Sequence, residues 1–231
     1  MLKKKDIHSR GFGKTVPEGV LDMRRICVLT SGGIDSALLL GEALASGHEI
    51  HPLYVATGLV WEAAEQHHLQ ILLNRLATER LKALSVLRAP LKDLFPDHWA
   101  FGAGAVPDAA SPDEAVYLPA RNLILLSQAA VFSEARRLEE VWIGVLKGNP
   151  FGDGRKDFFR AFEESCRLAL PHPLKISAPF AELSKPEAMA RHSDFPLDLA
   201  FSCLAPRGLE PCGRCNKCEE LRRALAVRSV K

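Results

Sequence analysis

From about residue 24 onward, short apolar runs alternate with segments whose apolar residues recur every three or four positions. Apolar runs of this length are typical of buried strands, and the helical spacing is typical of helices that cover a sheet. The predicted strands are 26–30, 48–56, 84–89, 141–145 and 174–178. The predicted helices are 36–46, 61–80, 123–138 and 158–170. The alternation predicts an α/β fold with a doubly wound, mostly parallel sheet, in which ligands bind at the carboxyl ends of the strands.

The loop after the first predicted strand is a candidate binding site for phosphate. Its six residues are Ser31, Gly32, Gly33, Ile34, Asp35 and Ser36. The glycines let an anion approach the backbone, while amide groups and two hydroxyls gather at the positive end of the following helix. This arrangement favours a phosphate or pyrophosphate site over the alternative, an ordinary glycine-rich turn between a strand and a helix.

Four of the six cysteines lie close together near the C-terminus. They are Cys203, Cys212, Cys215 and Cys218, with the spacing C-x8-C-x2-C-x2-C. Four thiolates around one ion, with no open position, are typical of a structural, tetrahedral zinc site. An iron–sulfur cluster and a redox-active cysteine pair are the alternatives. Cys27 and Cys166 fall in a predicted strand and a predicted helix, so we expect them to be small core residues.

The composition fits one α/β domain with a small appendage. The chain has 231 residues, of which 47% are hydrophobic and 25% are charged, as in ordinary globular proteins. We divide it into a basic tail at 1–22, a nucleotide-binding α/β domain at 23–200 and the four-cysteine segment at 201–231. The tail is expected to be mobile.

Charge and hydropathy narrow the expected partners and location. The net charge is only +2, so neither a nucleic acid nor a membrane surface is required as a partner. No apolar stretch approaches the length of a membrane span, and none follows the N-terminal lysines as in a signal peptide. We therefore expect a cytoplasmic protein that acts on small molecules, with neither a membrane nor a nucleic acid as its partner.

Residues 95–116 interrupt the alternation with glycines, prolines and acidic side chains. A loop of this length inside a compact domain usually has a function. The sequence leaves two interpretations open, a lid over the binding site and a plain disordered loop.

The loop and the cysteines together resemble a known family. The SGGIDS string at 31–36 resembles the SGGxDS loop of the PP-loop ATP pyrophosphatases, which cleave ATP to AMP and pyrophosphate in order to adenylate a second substrate. Combined with the C-terminal cysteines, it is similar to one branch, the 7-cyano-7-deazaguanine synthase (QueC or ExsB) family of queuosine biosynthesis. Further segments that carry the resemblance are LPARN at 118–122, IGV at 143–145, DGR at 153–155 and SKPE at 184–187.

This resemblance implies an ATP-dependent carbon–nitrogen ligase. ATP would adenylate the carboxylate of 7-carboxy-7-deazaguanine, and ammonia would displace AMP to give an amide. A second ATP would then dehydrate the amide to the nitrile, 7-cyano-7-deazaguanine. The implied cofactors are ATP, Mg²⁺ and a structural Zn²⁺, and the common assembly of the family is a homodimer.

The resemblance also assigns roles to individual residues. Asp35 would bind Mg²⁺ or orient its loop, while Arg121 and Lys185 would face phosphate charge as the other catalytic residues. The substrate-binding candidates are Asn122, Asp153 and Arg155. A surface salt bridge for Arg121 and a solvated lysine in the first turn of a helix for Lys185 are the competing interpretations.

Two segments depart from the family's pattern. The family's D-Y-G-Q-R-H string is replaced by ATGLVW at 56–61, and its DxSGYPDCR element is shortened to NPFGDGR at 149–155. Both segments follow predicted strands, where substrate should lie, so we expect a changed acceptor pocket. The alternatives are therefore a paralogue with another acceptor or an amide product, a PP-loop enzyme that modifies tRNA, and a nucleotide-binding module without chemistry. The weak charge bias argues against the tRNA alternative.

Overall fold

A computed structural model describes residues 23–229 and contains a five-stranded sheet in which every strand pairing is parallel. The strands are β1 (Arg25–Leu29), β2 (Glu49–Ala56), β3 (Ser85–Arg88), β4 (Glu140–Trp142) and β5 (Lys175–Ser177). Their order across the sheet is β3-β2-β1-β4-β5. The predicted tail at 1–22 lies outside the described residues.

Six α-helices accompany the sheet in the described part of the chain. They are α1 (Ile34–Ala45), α2 (Glu62–Arg75), α3 (Arg121–Arg136), α4 (Lys156–Ala169), α5 (Lys185–Arg191) and α6 (Asn216–Ser229). Within 23–229, none of the helices is both long and apolar enough to cross a lipid bilayer.

The helices cover both faces of the sheet, because successive side chains of a strand point to opposite sides. Ile26 and Val28 of β1 pack on one face with apolar residues of α1, α2 and α5. Cys27 and Leu29 pack on the other face with α3 and α4. The predicted α/β class and the doubly wound, parallel sheet are thereby confirmed.

Some predicted element boundaries were wrong. Helix α2 ends at Arg75 rather than at residue 80, because the chain turns back and Leu81 pairs with Ile50 beside β2. Helices α5 and α6 were not predicted. The start of α5 did have a signal in the sequence, since Ser184 and Glu187 form a capping box around a proline in the first turn.

The order of the strands creates a crevice at the carboxyl end of β1. Strand β1 pairs with β2 on one side and with β4 on the other, so the chain leaves β1 and β4 toward opposite faces. At this point the start of α1 lies close to Gly144, the second residue after β4. A Cβ added to Gly144 would lie 3.3 Å from the backbone carbonyl of Asp35, so only glycine fits there without a shift.

Helix α3 starts from a strained residue. Ala120, which precedes the helix, has φ of 55°, in the left-handed region that disfavours side chains with a Cβ. The strain lies directly beside Arg121, the first residue of the helix.

We predict that Ala120→Gly stabilises the protein by about 0.5–1 kcal/mol, because glycine adopts this conformation without the clash of a Cβ. The matched control is Ala161→Gly, at an exposed position in the middle of α4, which should destabilise the protein by about 1 kcal/mol. Urea unfolding of both variants measures the difference. A loss of stability in both would contradict the assigned strain.

Candidate active site

A cavity of about 320 Å³ opens over the crevice between β1 and β4. Its wall combines the loop after β1, the beginning of α3, the segment after β4 and the first turn of α6. Among the candidate residues from the sequence, those that line it are Ser31, Gly33, Ile34, Asp35, Ser36, Arg121, Asn122, Asp153, Lys185 and Cys203, whereas Gly32 does not. Arg155 is absent from this wall; its guanidinium is largely exposed and pairs with Asp157 at 3.0 Å.

The loop after β1 is held in shape by the hydroxyl of Ser36. This oxygen accepts hydrogen bonds from the amides of Ser31 and Gly32, at 3.1 and 3.0 Å, and donates one to the carbonyl of Gly33. These two amides are therefore used inside the loop. The amides of residues 34–36 form the first turn of α1, where the helix itself offers no acceptors and no side chain caps them. They are the groups available to an anion in the cavity.

Asp35 and Lys185 belong to a chain of alternating charges along one wall. The ammonium of Lys185 lies 3.0 Å from a carboxylate oxygen of Asp35 and also bonds Glu220. Glu220 in turn accepts a bond from Lys217 at 2.8 Å. Burial opposes the charge on Lys185, but the two carboxylates outweigh burial and hold the pKa of this lysine above its ordinary value. Lys185 is thus a partly buried, charged ammonium held between two carboxylates rather than a solvated one.

Asn122 and Asp153 satisfy each other at the start of α3. The carboxylate of Asp153 accepts a 2.8 Å hydrogen bond from the amide of Asn122, and the Asn122 side chain reaches the carbonyl of Asp153 at 3.3 Å. A carboxylate in this place stabilises the positive end of the helix. The pair thereby fixes the position of Arg121 at the cavity wall.

Glu65 is a cavity residue that the sequence analysis missed. Its carboxylate is buried and accepts hydrogen bonds from the Tyr54 hydroxyl, at 2.8 Å, and from the Trp61 side chain. Burial raises the pKa of Glu65 to about 7, although Arg121 acts in the opposite direction. The sequence did contain a signal for it. Glu65 lies four residues before Leu69, and residues four apart share one face of a helix, so this spacing places an acidic residue on the buried face of α2. The site therefore contains a carboxyl group that can exchange a proton near neutral pH.

Aromatic and aliphatic side chains form another part of the cavity wall. Leu59 and Trp61 line the cavity, and the Trp61 ring stacks on Trp99 with centroids 5.6 Å apart. Tyr117 stacks on Phe151 at 5.1 Å, also at the cavity. Val60, by contrast, is 46% exposed and lies outside the wall. Two of the three departures at 59–61 thus bear on the cavity directly.

The four cysteines converge on one point. Their Sγ atoms all lie within 4.8 Å of one another, and those of Cys212 and Cys218 are 3.9 Å apart. Tetrahedral zinc–thiolate geometry requires sulfur separations of about 3.8 Å, so the donor set fits Zn²⁺. The hydrogen bond between Cys203 and Cys215 lowers the pKa of Cys215 to about 4 and raises that of Cys203. A cation is therefore needed to keep all four as thiolates.

The cysteine cluster also holds residues 95–116 in place. Cys215 forms a β-bridge with Asp108, and Asn216 donates to the carbonyl oxygens of Pro107, at 3.2 Å, and Ser111, at 2.7 Å. Phe101 packs into the same apolar cluster as Cys203 and Cys215. The segment contributes Trp99, Ala100 and Val116 to the cavity wall, so the interpretation as a plain disordered loop was wrong, and the lid stays a prediction.

The fold has a counterpart among solved structures. The structure of a 4-thiouridine synthetase–RNA complex with bound ATP matches 90% of this chain and 52% of that one, with a TM-score of 0.50 and 17% identity. This likeness concerns the fold alone. It agrees with the parallel, five-stranded sheet of this chain and with its α/β class.

Sequence comparison identifies the family within that class. The family model described as "Queuosine biosynthesis protein QueC" matches residues 25–229. The 7-cyano-7-deazaguanine synthase of Anaeromyxobacter dehalogenans is 32% identical, over 91% of this chain and 94% of that protein. The protein of the same name from Azoarcus is 31% identical over 90% and 95%. This chain belongs to the QueC family, and the resemblance inferred from its motifs is confirmed.

We predict that Glu65→Gln changes how stability depends on pH. Because its pKa is raised from 4.5 to about 7 on folding, Glu65 favours the folded state below about pH 4.5, and this contribution is lost as pH rises through 7. Between pH 5 and 8, wild type should therefore lose on the order of 3 kcal/mol relative to the variant. Urea unfolding at pH 5, 6.5 and 8 measures this. Parallel stability curves would contradict the buried, protonated carboxyl.

We predict that Cys215→Ser removes bound zinc and lowers the melting temperature by about 10 °C, because metal binding at such a site contributes to folding. The control is Cys166→Ala, at a buried cysteine outside the cluster, which should leave the zinc content unchanged. Atomic absorption and thermal melting report the two effects. A Cys215→Ser protein with full zinc content and normal melting would show that the cluster is not a zinc site.

Proposed function

We propose that this protein is an ATP-dependent ligase that adenylates 7-carboxy-7-deazaguanine and uses ammonia to form 7-cyano-7-deazaguanine. The observation that carries the proposal is the set of groups at one cavity. Free amides of α1, the carboxylate of Asp35 and the cations Arg121 and Lys185 meet at the crevice of a parallel sheet. The names of the relatives, which match this chain over nearly its whole length, support the same reaction.

The polar wall suits the adenylation half of the reaction. When a carboxylate attacks the α-phosphate of ATP, pyrophosphate leaves and carries negative charge that must be held and neutralised. The amides of residues 34–36 and the ammonium of Lys185 face this charge. Asp35 is the carboxylate at the cavity that would hold Mg²⁺, which supplies further neutralisation of the phosphates when bound.

The opposite wall suits the acceptor. A flat heterocycle fits the aromatic surface formed by Trp61, Trp99 and Tyr117. Arg121 would attract the carboxylate that is to be adenylated. Ammonia attacks only as the neutral molecule, and Glu65, whose pKa is about 7, can take the proton that ammonium must lose.

A second candidate is a family member with a changed acceptor or an amide product. The observation that favours it is the buried position of Leu59 and Trp61 on the cavity wall, where the family's pattern has polar side chains. A pocket discriminates by leaving wrong partners unpaired, so this replacement should alter what is accepted. Both candidates share the adenylation step and differ only in the acceptor and in the later reaction of the adenylate.

One assay separates the candidates. The full-length, zinc-loaded protein is incubated with ATP, 7-carboxy-7-deazaguanine and ammonia, and the products are measured by liquid chromatography. Formation of the nitrile with AMP and pyrophosphate supports the synthase. An amide that accumulates, or AMP formed only with another carboxylate, supports the second candidate. A protein that neither binds nor cleaves ATP contradicts both.

A homodimer and a cytoplasmic location are further parts of the proposal, and both rest on the family resemblance. Gel filtration with light scattering tests the first of them.

We predict that Asp35→Asn lowers the rate of pyrophosphate release by about 100-fold or more, because the carboxylate that orders Lys185 and Mg²⁺ is lost. Its melting temperature should stay close to that of wild type. The matched control is Asp157→Asn, which changes an exposed carboxylate in the first turn of α4 and should leave turnover unchanged. Turnover retained in Asp35→Asn would contradict the role of the loop in ATP cleavage.

A further inference from the structure

Helix α6 begins inside the cysteine cluster and presents its first turns to the cavity. Cys215 immediately precedes the helix and Cys218 lies in its first turn, so two of the four sulfur ligands fix where the helix starts. Lys217 and Glu220, which flank Cys218, both line the cavity. The segment that carries the metal ligands therefore also carries charged groups to the site.

The ion pairs of α6 fall into two groups. Away from the cavity, Glu219, which is itself 15% exposed, pairs with Arg222 and Arg223, whose side chains are 63% and 74% exposed. On the cavity side, Lys217 and Glu220 are only 26% and 24% exposed. Exposed pairs of the first kind contribute little to stability and need no further explanation. A pair that is partly withdrawn from water at a binding cavity is a different case.

Glu220 holds two ammonium groups at once. One of its carboxylate oxygens bonds Lys185, and the other accepts from Lys217 at 2.8 Å. Lys185 is itself the cation that contacts Asp35 in the loop after β1. Lys217 is thereby fixed beside the same wall as Lys185, and the two positive and two negative charges balance while no anion is bound. A polyphosphate that enters finds two ammonium groups already in place.

We propose that Lys217 is a further phosphate-binding residue of this site and that Glu220 is the residue that positions Lys217 next to Lys185. The ligand it would contact is the polyphosphate part of a nucleoside triphosphate, or the pyrophosphate that leaves it. This inference rests on the proposed function, because it assigns an additional cation to the same ATP site. It also gives the cysteine cluster a second role, since the metal fixes the turn of α6 from which Lys217 projects.

The test compares Lys217→Gln with Arg223→Gln in the full-length, zinc-loaded protein. Both substitutions remove one positive charge from α6, but only the first removes it from the cavity wall. Calorimetry with ATP, tripolyphosphate and adenosine gives the affinities. Lys217→Gln should weaken binding of ATP and tripolyphosphate by about tenfold or more and leave adenosine binding unchanged. Arg223→Gln should leave all three unchanged.

The positioning role of Glu220 is tested by combining substitutions. If Glu220 places Lys217, then Lys217→Gln should cost less ATP affinity in a Glu220→Gln background than in wild type. Additive effects would overturn the positioning role. Wild-type affinity for ATP and tripolyphosphate in Lys217→Gln, with normal zinc content, would overturn the inference as a whole. A wild-type protein that binds no ATP would instead overturn the proposed function on which it rests.

Discussion

The candidate site depends on the position of β1 between β2 and β4, because the chain leaves the sheet toward opposite faces after β1 and after β4. Strands β2 and β4 lie on opposite sides of β1. The connections that follow β1 and β4 therefore leave toward opposite faces of the sheet, and a crevice remains between them. The close approach of Gly144 to the backbone of Asp35 fixes the start of α1 at that crevice. The first-turn amides of α1, which no side chain caps, therefore lie at this crevice and are the groups proposed to bind phosphate.

The second constraint on the site is the balance of charge around its two cations, Lys185 and Arg121. The cavity places Asp35 and Glu220 around Lys185 on one side, and Glu65 near Arg121 on the other. Lys185 is thus kept charged in a partly dehydrated place, and burial raises the pKa of Glu65 to about 7. Groups arranged in this way are ready for a strongly charged ligand and for proton transfer without a large rearrangement.

Much of this could be predicted from the sequence, and the exceptions have physical causes. Three features are local patterns, so the spacing of residues was enough to predict them. They are the alternation of strands and helices, the loop at 31–36 and the cluster of four cysteines. Glu65 was missed because its hydrogen-bond partner, Tyr54, comes from β2, and the spacing within α2 does not reveal that contact. Lys217 was missed because its place at the cavity is recognised only through Glu220, which also bonds Lys185 from a distant part of the sequence. The end of α2 was misplaced because Leu81 pairs with Ile50 of β2, which requires the helix to end earlier.

The cavity is assembled from opposite ends of the chain. Its phosphate-facing loop comes directly after the first strand, while Lys217 and Glu220 lie in the last helix of the described residues. Contacts between parts so distant in sequence form late, both in folding and during synthesis from the N-terminus. A ribosome-bound chain can thus complete its five-stranded sheet while the cavity still lacks one wall. Metal binding by the four cysteines, if they hold zinc as proposed, would then be the step that fixes α6 and completes the cavity wall.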